Sequence, residues 1–91
     1  MKFEWDENKN QLNIQHREID FFDACKMFDY PTLRRIDNRK DYGEIRYVAL
    51  GQLDKAIISM VYTMRTEVIR IISVRRANRR ECKAYSSYIN G

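Results

Sequence analysis

Between Lys55 and Lys83 this chain leaves itself few folds. Lys55–Met64 is a strand-length run that is apolar on both faces, Arg65-Thr66-Glu67 is a tight turn, and Val68–Val74 is a second β-branched run. The pattern predicts a β-hairpin. Its second strand runs straight into arginines. Residues 70–83 hold six Lys or Arg and one acidic residue, Glu81, a net +5. The other 77 residues hold 11 basic and 12 acidic side chains, so the whole net positive charge of the protein sits in this segment. A buried strand that delivers arginines to one spot suits a polyanion such as RNA, because guanidinium forks fit phosphates.

The elements before and after the hairpin set the class. Lys2-Phe3-Glu4-Trp5 alternates polar and aromatic residues and predicts a first strand. Asp6 caps a helix to about His16, and Asp20 caps a second helix to about Phe28, ended by Tyr30-Pro31. Thr32–Asp37 predicts an edge strand carrying Arg34 and Arg35, Asp37–Gly43 a polar loop, Glu44–Leu50 a strand and Gly51–Asp54 a turn. Asn78-Arg79-Arg80-Glu81 has the form of a capping box, opening a last helix to about Ile89. The reading is one α+β domain over residues 1–91: a twisted antiparallel sheet, two N-terminal helices and one C-terminal helix. The arginine cluster is expected on one concave surface beside the sheet.

Ninety-one residues allow one modest core. No run is long enough to span a bilayer, so a soluble, cytoplasmic protein without membrane partners is expected. Cys25 and Cys82 match no metal-ligand spacing and read as reduced thiols, and no metal or other cofactor is expected.

Three groups of residues can carry chemistry. Arg75 and Arg76 leave the last strand on opposite faces unless it bends, with Arg70 inside the strand. Arg79 and Arg80 stand in the first turn of the final helix, where cations are disfavoured unless an anion compensates. Lys9, Asn13 and His16 fall on one helical face at steps of four and three. Lysine holds phosphate, asparagine bonds a base or ribose, and histidine moves protons near neutral pH. Glu81 and Tyr85, one turn apart, offer a base and a proton donor. Against these stand plainer roles: a solvated face, a helix cap for Glu81, and an apolar stripe with Cys82 and Ile89 for Tyr85. RNA cleavage from such an inventory is metal-free, with the ribose 2′-OH attacking the adjacent phosphate and arginines stabilising the added charge. The catalytic candidates are Arg75, Arg79, Arg80, Glu81, His16 and Tyr85. The RNA-holding candidates are Lys9, Asn13, Arg46, Arg70, Arg76 and Lys83.

The chain also resembles a known family. Phe3-Glu4-Trp5-Asp6, then Lys9, Asn13, His16, Phe21, Ala24 and Phe28-Asp29, is similar to the opening of the BrnT toxins. Arg46-Tyr47-Val48-Ala49-Leu50-Gly51, Val61-Tyr62-Thr63-Met64-Arg65 and Arg70–Ala77 continued by Glu81 and Tyr85 resemble the family's second half. The family shows Lys-His-Gly where this chain has Gln15-His16-Arg17, so Arg17 carries a penalty if that position needs positive φ. The resemblance implies a RelE-like fold and a ribonuclease that arrests translation within a type II toxin–antitoxin system. It implies a ribbon-helix-helix, BrnA-like antitoxin as partner, the pair binding operator DNA. The rival expectations are an inactive toxin-like co-repressor and a plain RNA-binding domain.

Overall fold

The computed structural model describes residues 1–91. Five strands and three α-helices follow in the order β1 (Lys2–Trp5), α1 (Glu7–Arg17), α2 (Phe21–Ala24), β2 (Leu33–Ile36), β3 (Arg46–Leu53), β4 (Ala56–Arg65), β5 (Val68–Arg76) and α3 (Arg79–Asn90). The strands form one sheet in the order β1-β5-β4-β3-β2. The α+β class holds, but the sheet is mixed rather than antiparallel, because β1 runs parallel to β5. Tight hairpins force β3, β4 and β5 to alternate in direction. Most of the chain separates β1 from β5, so no turn dictates their sense.

Local chemistry sets the boundaries. Asp6 caps α1 by accepting from the backbone N–H groups of Asn8 and Lys9, and Asp20 caps α2 through Phe22 N–H. The expected second helix is α-helical only to Ala24 and tightens into a 3-10 turn over Cys25–Asp29 before Pro31. The expected turn at Gly51–Asp54 is strand as far as Leu53; Asp54, at φ 54°, takes the bend. Gly51 serves a different purpose. A Cβ placed there would lie 3.0 Å from Met27 Cβ, so the glycine lets the 3-10 turn sit directly on β3. At the exit of α1 the left-handed residue is Glu18, at φ 60°, while Arg17 stays helical.

Phe21, Ala24 and Met27 pack on Ala49, Ile58, Met60, Tyr62, Ile69, Ile71 and Val74, forming the core on one face of the sheet. Phe28 stacks edge-on against Tyr62 at 5.7 Å, and Trp5 against Phe21 at 6.2 Å. Helix α1 joins this core by an unusual route: its buried residues are Asn10 and Asn13. Trp5 pairs with Ile71, and β1 ends there, leaving the edge of β5 open beyond it. Asn13 Oδ1 accepts from Val74 N–H at 3.3 Å while its Nδ2 donates to Ile19 O, so the helix closes the strand edge with an amide. On the opposite face of the sheet α3 covers one end, with Tyr85 buried and its hydroxyl donating to Pro31 O at 2.7 Å. Cys25 and Cys82 are free thiols, and burial pushes Cys25 up to about 11. No helix is long and apolar enough to cross a membrane.

A bulge in β5 decides which side chains reach the face that α3 only partly covers. Val61 pairs with Ser73 but Tyr62 pairs with Ile71, so Ile72 is the extra residue. Ile69, Ile71 and Val74 therefore all point into the core, and Ser73 and Arg75 point to the other face.

Candidate functional site

The uncovered part of that face holds a cleft of about 170 Å³ lined by four arginines. Its floor is a cross-strand row, Arg35–Val48–Val61–Ser73, flanked by the pair Ser59–Arg75. Arg17 enters from the last turn of α1, Arg39 from the loop after β2, and Arg35 and Arg75 from the strands themselves. Ser59 and Ser73 add hydroxyls.

Two of the arginines are held by carboxylates. Arg75 makes a two-pronged pair with Glu81, at 2.7 and 2.9 Å. Glu81 is itself fixed by the reciprocal cap with Asn78, accepting from Asn78 N–H while Asn78 Oδ1 accepts from Glu81 N–H. The Arg75 fork holds the Glu81 carboxyl below its ordinary range, against the opposing pull of burial. Arg39 forks onto Asp37 at 2.8 and 2.7 Å, and Tyr42 Oη adds a third donor at 3.2 Å. The Asp37 side chain is fully buried, yet the Arg39 hydrogen bonds keep it well below the carboxylate range. Arg17 and Arg35 take part in none of the ion pairs. Two positive charges thus remain uncompensated at a cleft whose other arginines are already oriented. Bidentate pairing fixes a guanidinium's plane while leaving its remaining N–H groups to point outward.

The residues expected from sequence divide around this cleft. Arg75 lines it. Arg80 and Glu81 line the adjoining hollow, which shares Arg35 and Val48 with it. Arg76 leaves on the opposite side, among Glu18, Asp20, Asp23 and Asp54, as strict alternation after Arg75 requires. Arg79 and Lys83 are exposed on α3 and line neither cavity. Arg46 and Arg70 flank Thr63 in the next cross-strand row; Arg46 bonds Glu44 and lies 4.2 Å over the Tyr42 ring, and Arg70 bonds Glu4 at 2.9 Å. Lys9 and His16 are exposed, and His16 adjoins Arg17. Asn13 is turned inward with its amide occupied, which separates it from Lys9 and His16. Tyr85 keeps its hydroxyl on Pro31, and burial raises its pKa.

Arg17, Arg35, Arg39 and Asp37 were not among the candidates. Arg35 carried a signal: on an edge strand it lies across from Val48, a site-facing position. Arg17 and Arg39 carried none, since a helix exit and a polar loop read as solvent.

A small α+β domain that gathers four guanidiniums and two hydroxyls over one sheet face has the geometry of an anion-binding protein. Over residues 5–81 the sequence matches the family described as the ribonuclease toxin, BrnT, of type II toxin-antitoxin systems. That span is most of the chain, and the protein belongs to this family. No curated protein matches it.

Proposed function

We propose that this chain is a metal-independent endoribonuclease that arrests translation by cutting RNA, with the scissile phosphate seated in the arginine cleft. The observation that carries the reading is the convergence of Arg17, Arg35, Arg39 and Arg75 from four separate segments on one small cavity. The ribose 2′-oxygen attacks phosphorus, the bond to the 5′-oxygen breaks, and the products are a 2′,3′-cyclic phosphate and a 5′-hydroxyl. The 2′-OH proton passes to water and the leaving oxygen takes one up. Arginines fixed before substrate arrives stabilise the charge that builds on the phosphoryl oxygens. Glu81 acts here as a positioning residue for Arg75, because both its oxygens are engaged. His16, next to Arg17, supplies the proton to the leaving oxygen. A BrnA-like ribbon-helix-helix antitoxin covers the same basic face, and the pair binds operator DNA.

The test is cleavage of RNA by the purified toxin, with ends mapped, for Arg35→Ala and Arg75→Ala. Each should lose on the order of 10²-fold or more in rate, the scale of one lost preorganised donor. Rates should not change on adding a chelator. Variants that fold normally and cut at full rate would remove the cleft from the reaction. A second reading, a silent toxin-like co-repressor, draws on the neutralisation of Arg39 and Arg75 by Asp37 and Glu81. It predicts no growth arrest when the chain is expressed without its antitoxin.

A further inference from the structure

A second cavity of about 460 Å³ opens beside the phosphate cleft and shares Arg35 and Val48 with it. Its base is aliphatic: Leu33, Val48 and Leu50 from the sheet and Ala84 from α3. Its rim carries donors. Arg80 takes part in none of the ion pairs. Asn78 uses its Oδ1 to cap α3, which leaves its Nδ2 to donate. Glu81, which closes one side, holds Arg75 toward the cleft.

We infer that this hollow is a nucleobase subsite for the nucleotide next to the scissile phosphate, selective for guanine. The inference rests on reading the cleft as the phosphate site. The two cavities share the same two cross-strand rows, Leu33–Leu50–Ser59–Arg75 and Arg35–Val48–Val61–Ser73, with the hollow over β2 and β3 and the cleft toward β4 and β5. They are therefore offset across the strands by about 5–10 Å, one to two strand spacings of ~4.8 Å. A ribose bridges a step of that order. Flat aliphatic surface takes a base face, and splayed single-stranded bases are read on their edges by side-chain donors. Here the rim offers N–H groups from Arg80, Asn78 and Arg35, and the one carboxylate is already bound to Arg75. Such a rim answers an acceptor-rich edge, and guanine O6 and N7 fit an arginine fork. An aliphatic side chain from a protein partner would fill the floor but leave those donors unanswered.

The probes are guanosine 5′-monophosphate, adenosine 5′-monophosphate and ribose 5-phosphate, titrated into the intact toxin and followed by the amide and arginine Nε signals in NMR. The guanine nucleotide should bind on the order of 10-fold more tightly than ribose 5-phosphate, the gain expected from burying one base face on an apolar floor. It should shift Leu50, Asn78 and Ala84 signals that ribose 5-phosphate leaves in place. Ala84→Leu, an exposed helix position, should erase the base-dependent gain and leave ribose 5-phosphate binding unchanged. Arg80→Gln should keep a stacking gain but lose the preference for guanine over adenine. Equal binding of the nucleotides and ribose 5-phosphate to the wild type would overturn the subsite alone. Failure of ribose 5-phosphate to bind would overturn the cleft reading and the subsite with it. If Ala84→Leu weakens antitoxin capture while nucleotide binding is intact, the hollow belongs to a protein partner and the inference falls.

Discussion

Asp37 is the residue on which the acid response of this protein turns. It is buried without residual exposure, and burial by itself favours the neutral acid. The Arg39 fork, the Arg39 N–H and Tyr42 Oη reverse that preference and hold the carboxyl well below its ordinary value. A carboxyl depressed in the folded state stabilises fully above its unfolded value of ~3.9, and that contribution disappears as pH falls toward the lower folded value. Glu81 follows the same sign. Stability should therefore be level near neutrality and decline below about pH 4. Asp37→Asn should lower the urea midpoint at pH 7, because Arg39 loses its anchor. It should also narrow the gap between midpoints at pH 7 and pH 3; an unchanged gap would mean that Asp37 is not the titrating group. Arg39 is 65% exposed, so solvent screening keeps the effect moderate. None of this was legible in the sequence. An Asp and an Arg two residues apart in a polar loop form a fork only when the loop bends to bring them together.

At the scale of elements, legibility followed locality. The hairpin of β4 and β5, the caps at Asp6, Asp20 and Asn78, and the start of α3 are written in neighbouring residues, and the structure has them where the sequence put them. The parallel pairing of β1 with β5 and the bulge at Ile72 depend on distant partners, and the sequence was silent on both. Helix α1 shows the ambiguity best. Its polar residues at steps of four and three read as an outer face, yet Asn10 and Asn13 form its inner one. Amides replace apolar contacts because what they meet is unpaired backbone, not a hydrophobic layer: Asn13 takes the open edge of β5 at Val74 N–H, and Asn10 the N-terminus of α2 at Phe21 N–H. Asn13→Ala should cost about 1–3 kcal/mol by leaving Val74 N–H without its partner. It should also loosen the turn that carries Arg17, so RNA cleavage should fall further than the melting curve alone accounts for. A variant with lowered stability and full activity would show that Arg17 is not held by this contact. On the same core face, Gly51→Ala drives a methyl into the stem of Met27. The expected loss is about 1–3 kcal/mol in chemical denaturation, as for other overpacked sites. A neutral effect would mean that the 3-10 turn shifts freely over β3.

Across the whole molecule, linear charge and spatial charge differ. The count along the chain placed the entire surplus in residues 70–83, yet of the four cleft arginines only Arg75 comes from there. Arg17, Arg35 and Arg39 come from stretches whose charges nearly cancel on paper. The cancellation is only partly spatial: Arg39 keeps Asp37, but Glu18, Asp20 and Asp23 line a separate cavity with Arg76. The sheet face thus carries arginines in three successive rows, and although Arg39, Arg46, Arg70 and Arg75 keep carboxylate partners, Arg17 and Arg35 leave it with a positive surplus. A surplus of this kind acts over a distance, steering polyanions and an acidic partner alike, and it weakens with ionic strength. The prediction is made on salt slopes. Binding of single-stranded RNA should weaken linearly in log–log salt titration, and Arg35→Ala should reduce the slope by about 0.7, the release expected for one phosphate contact on a single strand. Arg76→Ala, on the far side, should leave it unchanged. The antitoxin complex should show its own salt dependence, also reduced by Arg35→Ala, if the partner covers this face. Should its affinity stay flat across the titration while RNA binding remains steep, the antitoxin sits on an apolar surface elsewhere and inhibits without occupying the cleft.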